Sequence, residues 1–90
     1  MAKIKGTTKS GFEFKLDESI LDNMELIDVM AGIEEDASNM SKFVLMVLGS
    51  EQRSALYEHL RGKNGIVPST KVYDEILEMI EIIGGEAGKN

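Results

Sequence analysis

Ninety residues make one domain, and a domain this short buries only about 60–65% of the surface its unfolded chain exposes, so partners often add to its stability. With no cysteine, disulfides and thiolate metal sites are excluded and a reducing compartment is the expected home. Sixteen acidic against ten basic residues give a net charge of −6 without a basic stripe, which makes nucleic acid an unexpected partner.

The charge is unevenly spread. Residues 1–16 carry four lysines and one glutamate, whereas residues 17–36 carry eight acids and no base. A basic start and an acidic first helix can attract each other between copies. The longest apolar run, Phe43 to Leu48, has six residues where a membrane span needs about 20. The opening Met1-Ala2-Lys3-Ile4-Lys5 has no apolar core for a signal peptide, so a cytoplasmic protein without a membrane partner is expected.

Along the chain, Phe12-Glu13-Phe14-Lys15-Leu16 alternates apolar and polar, the period of a half-buried strand. Lys3-Ile4-Lys5 alternates likewise and pairs with it across Gly6 to Ser10, making a small ribbon. A first helix is predicted over Asp22 to Asp36, with Asp22 as cap, Glu25 three residues on, and Leu26, Ile27, Met30 and Ile33 as its core stripe. Its end is odd: Glu34-Glu35-Asp36 fall where the helix dipole disfavours acids. Met40 to Leu48 is predicted as a buried second helix ended by Gly49, and Glu51 to Leu60 as a third, capped by Ser50. Asn64-Gly65 marks a turn. Pro68-Ser69 starts a fourth helix running to about Ile83. Val72, Tyr73, Ile76, Leu77, Ile80 and Ile83 form its apolar face, and Met79 and Ile82 widen that face beyond what a small core needs. Gly84 to Asn90 is predicted to be a flexible tail. The fold class is therefore mainly α: a four-helix small domain, residues 1–83, with a short N-terminal β-strand or ribbon.

Catalytic and metal readings find little support in these residues. His59, the one histidine, has no nucleophile or partner base near it in the sequence, and a structural role is expected. An EF-hand loop counted from Asp17 fails at Leu21 and Asp22, so the acids read as a solvated helix face and no metal or other cofactor is expected. Most of the six methionines read as core. Met79 is the exception, placed on a contact surface with Ile82, Tyr73 and Met24. The surplus apolar face predicts self-association into a homo-oligomer. Ser19 in Glu18-Ser19-Ile20-Leu21-Asp22 resembles the phosphopantetheine serine of acyl carrier proteins. Here, however, two apolar residues stand where that family has one, and a lysine-rich strand stands in place of its long preceding helix.

From Gly11 to Ile83 the order of elements resembles the small tail assembly chaperones of long-tailed phages and prophages. The residues that carry the resemblance are Asp22-Asn23-Met24-Glu25-Leu26 opening an acidic helix, Val47-Leu48-Gly49-Ser50-Glu51-Gln52, the pair His59-Leu60, and Gly65-Ile66-Val67-Pro68 before an acidic last helix. Met24 stands where many relatives have tryptophan. The resemblance implies a non-catalytic protein of the host cytoplasm. It would bind the long, largely helical tape measure protein, keep it soluble and help recruit tail tube subunits, and would be absent from the finished virion. It also implies genes read in two ways by a backward ribosomal slip, for which adenine-rich codons at Lys89-Asn90 would be the place.

Overall fold

The computed structural model describes residues 3–87. The fold is mainly helical, at 63%, with a two-stranded antiparallel sheet at its N-terminal end. β1, Lys3–Thr7, pairs with β2, Glu13–Asp17, so that Ile4 lies opposite Leu16, Gly6 opposite Phe14 and Lys5 opposite Lys15. The alternation puts Ile4, Phe14 and Leu16 into the core and leaves the lysines outside. Gly6 is a place of close approach: a Cβ there would stand 2.8 Å from the Phe14 ring and 2.9 Å from Ile82 Cγ2.

Among the described residues three α-helices follow rather than the expected four. α1 is Met24–Ala31, α2 Ser38–Leu60 and α3 Ser69–Ala87. The helices predicted over Met40–Leu48 and Glu51–Leu60 are the two arms of α2, bent at Gly49, whose φ of 82° and ψ of 168° are not helical. The bend frees the Leu48 carbonyl, and the Gln52 side-chain amide donates to it at 2.9 Å.

α1 is shorter at both ends than predicted. Asn23, not Asp22, caps it by accepting the Glu25 N–H at 3.0 Å, while Asp22 closes a preceding 3-10 turn over Glu18–Leu21. Its other end falls at Gly32. There Asn39 Nδ2 donates to the Gly32 carbonyl at 3.0 Å and lies 2.8 Å from where a Cβ would stand. This resolves the odd placement of Glu34-Glu35-Asp36: the acids lie beyond α1 and ahead of α2, at the end of a helix where the dipole favours them. Asp36 Oδ1 accepts the Ser38 N–H at 3.0 Å, and that bond, with the one from the Ser38 hydroxyl, lowers the Asp36 pKa.

α3 does not stop at Ile83 but stays helical through Gly84 and Gly85 to Ala87, within the segment expected to be a flexible tail; residues 88–90, with the adenine-rich codons inferred for them, lie outside the described residues. α1 packs on α2, the two arms of α2 reach α3 and β2, and α3 runs along β1. Val44, Leu56, Ile76 and Met79 have no exposed surface and form the centre of the core. Among the described residues no helix is long and apolar enough to cross a membrane.

Candidate partner-binding surface

Of the four residues singled out as a contact surface, the structure buries one, half-buries two and leaves one exposed. Met79 is 0% exposed and belongs to the core, which corrects its expected place at the surface. The physical reason is that α3 has two neighbours. Val72, Ile76, Met79 and Ile83, spaced four, three and four apart, form the buried seam, with α2 and β1 both packed on the helix. A helix wedged between two elements needs a wide apolar stripe, so the surplus seen in the sequence is largely consumed within the fold. Ile82 is half-buried beneath Gly6. Tyr73 is half-buried at the other flank and its hydroxyl donates to Glu34 Oε1 at 2.9 Å; that bond and the carboxylate charge raise the tyrosine pKa above 10.0. Leu77 is what remains exposed on α3, at 48%.

Met24 alone of the four stands free. It is 65% exposed, and Ile27, one turn on and expected in the core, is 49% exposed. Leu26 and Ile33 face inward instead. The exposed face of α1 thus carries two large apolar side chains beside Glu25 and Asp28, which are also exposed. Leu26-Ile27 offers two adjacent apolar residues and a short helix can bury only one of them, so Ile27 falls on the outer side rather than in the expected core stripe.

A second cluster was not foreseen. The β1–β2 turn, Thr8 to Gly11, is clasped by side chains far away in the chain. Glu75 is 5% exposed on the flank of the α3 seam and accepts the Thr8 hydroxyl at 2.8 Å and the Ser10 hydroxyl at 3.1 Å. The Lys9 backbone N–H donates to Glu78. His59 Nε2 lies 3.0 Å from the Ser10 carbonyl and 3.1 Å from its hydroxyl. A carbonyl only accepts, so Nε2 carries the proton and donates to it. That nitrogen therefore cannot take a proton from Ser10, and the nearby carboxylate touches the serine rather than the imidazole. The trio holds the hairpin turn in place and lacks the proton-transfer order of a nucleophilic triad. The local sequence gives no signal for this cluster: Glu75 falls by its spacing on the acidic side of the helix with Asp74, Glu78 and Glu81, and its burial follows from the packing of the hairpin turn on it.

Gln52 performs the matching task on the other side of the sheet. Its amide accepts the Lys15 N–H at 2.9 Å and donates to the Lys15 carbonyl at 2.7 Å, pairing with the edge of β2 as a strand would. Ser19, in the 3-10 turn ahead of α1, donates its hydroxyl to Asp17 Oδ1 at 2.9 Å. The Ser19 backbone N–H, first, and this hydroxyl, second, lower the Asp17 pKa. Among the described residues no three histidine, aspartate or glutamate side chains come together as a metal site.

No protein-family model matches the chain, and neither the curated proteins nor the solved structures contain a significant match to it.

Proposed function

We propose that this protein is a non-catalytic assembly chaperone of a long-tailed phage or prophage: it binds the tape measure protein in the host cytoplasm, keeps it soluble and helps bring tail tube subunits to it. The order of elements and the residues from Asp22 to Pro68 support the family reading. The observation that carries the binding role is the free stripe of Met24 and Ile27 on acidic α1. Two apolar side chains a turn apart, flanked by carboxylates, suit the apolar seam of a helical client with basic flanks. Covering the half to two thirds of each that is still exposed contributes about 1–2 kcal/mol apiece, less than association costs, so the stripe acts together with further contacts to the client. Its place outside the virion and any self-association belong to the same proposal. The carrier reading finds less support, since Ser19 sits on a 3-10 turn with its hydroxyl held by Asp17.

The test is co-expression with the tape measure protein encoded beside it. Wild-type chain should raise the soluble fraction of that client, and Met24→Glu with Ile27→Glu should abolish the effect while leaving the circular dichroism spectrum unchanged. A client equally soluble alone, or the absence of tail genes next to this one, overturns the proposal. A mass gain on incubation with a phosphopantetheinyl transferase would point to the carrier instead.

A further inference from the structure

The sheet has one edge closed and one open. Thr8 N–H bonds to the Phe12 carbonyl at 2.9 Å, and Lys15 gives its backbone groups to Gln52, so the even residues of β1 face β2 and the odd ones face away. The N–H and C=O groups of Lys3, Lys5 and Thr7 therefore point outward from the free edge of β1. Among the described residues they have no hydrogen-bond partner. The same three side chains are exposed on the outer face. Their charges are set awkwardly: Lys5 stands directly opposite Lys15, a like-charge pair at a position without ladder hydrogen bonds, where side chains come closest. Lys3 has Asp17 opposite it, whereas Lys5 has no acid directly opposite and meets Glu13 and Asp17 only on the longer diagonals.

We propose that the free edge of β1 binds an extended, acidic segment of a partner protein by strand addition. The peptide groups of Lys3, Lys5 and Thr7 supply the ladder, and an acidic side chain on the added strand meets Lys5. A residue of the segment on the inner side would lie beside Gly6, whose missing side chain leaves Ile82 within reach as an apolar floor. The segment thus alternates acidic and apolar residues. A second copy of this chain is a poor occupant. Two β1 strands paired about Lys5 set lysine against lysine, and the edge of β2, which carries Glu13 and Asp17, is occupied by Gln52. Lysines on an edge strand deter unwanted self-pairing; the same lysines select an acidic partner. This inference is independent of the role given to α1.

The probe is a blocked seven-residue peptide alternating glutamate and valine, titrated to millimolar concentration into the full-length, isotopically labelled chain, with a lysine–valine peptide as control. The amide signals of Lys3, Lys5 and Thr7 should shift and their hydrogen exchange should slow with the glutamate peptide only. Lys5→Glu should weaken binding about fivefold, the upper end for one cross-strand charge pair, and raise the melting temperature of the free protein. Lys5→Pro, which removes an outward N–H that the fold does not use, should abolish binding. The proposal is overturned if those signals stay still, if the lysine peptide shifts them equally, or if Lys5→Glu binds as well as wild type.

Discussion

Replacing Gly49 by alanine isolates the cost of the α2 bend. At φ 82° and ψ 168° the residue occupies a region open to glycine almost alone, and an L-residue held there costs about 1–3 kcal/mol. A new Cβ would meet nothing within 4 Å, so no steric contact confuses the measurement. Escape by straightening the helix would recover up to about 1 kcal/mol of helix propensity. It would also carry the second arm away from the core, removing fully buried Leu56 and nearly buried Leu60, each worth about 2–5 kcal/mol, and breaking the Gln52–Lys15 pair. The bent form wins, and the strain remains. Gly49→Ala should therefore lower the urea-unfolding free energy by about 1–3 kcal/mol, followed by circular dichroism, with an unchanged denaturant slope. For a domain of this size each kcal/mol corresponds to about 4–8 °C in melting temperature. D-alanine introduced at the same position by chemical ligation fits the mirror-image backbone and should match or exceed wild type. An L-alanine variant as stable as wild type, or a D-alanine variant less stable than the L form, would refute the reasoning.

Met79→Ala should cost about 2–5 kcal/mol in urea unfolding, as for other fully buried side chains, whereas Met24→Ala should stay within about 0.5 kcal/mol. Glu75→Ala takes the acceptor from the buried Thr8 hydroxyl and from Ser10, so it should cost about 1–3 kcal/mol and speed amide exchange through Thr8 to Phe12; Glu75→Gln keeps an acceptor and should cost less. In a Tyr57→Phe background, ultraviolet titration should place Tyr73 above the usual tyrosine range and Glu34→Ala should bring it back. Because the folded pKa is the higher one, that contact stabilises the fold fully at pH below the unfolded value near 10, and the contribution is lost as pH rises from there through the folded value. An unmoved titration midpoint in Glu34→Ala would show that the hydrogen bond does not form in solution.

Local chemistry made much of the fold readable. The period-2 run at Phe12 to Leu16, the Pro68-Ser69 start and the Asn64-Gly65 turn all point to elements that the chain forms, and Gly49 marks a break that exists. What Gly49 does at that break is set by tertiary contacts: the second arm folds back because Leu56 and Leu60 have a core to enter and Gln52 has a strand edge to pair with. The expected cap at Asp22 lost to Asn23 by one residue, since both side chains can cap and the 3-10 turn before them takes Asp22. The clasp of Thr8, Ser10, His59 and Glu75 joins residues up to 67 positions apart, and no local pattern reports such a meeting.

The burial of Met79 shows how an apolar stripe relates to binding. A wide stripe measures how many elements pack on a helix, and those elements can all belong to the same chain. α3 is flanked by α2 and by β1, so its excess width is internal and its one exposed large residue, Leu77, is isolated. α1 is the contrasting case: its main contact is α2, and Met24 and Ile27 on its other side stay exposed among the described residues. Candidate surfaces in a small domain are therefore better sought on the element with the fewest neighbours than on the element with the most apolar residues. By that criterion α1 and the outer edge of β1 stand out together. One offers apolar side chains among acids and the other offers peptide groups among lysines, so the partners proposed for the two surfaces carry opposite charge.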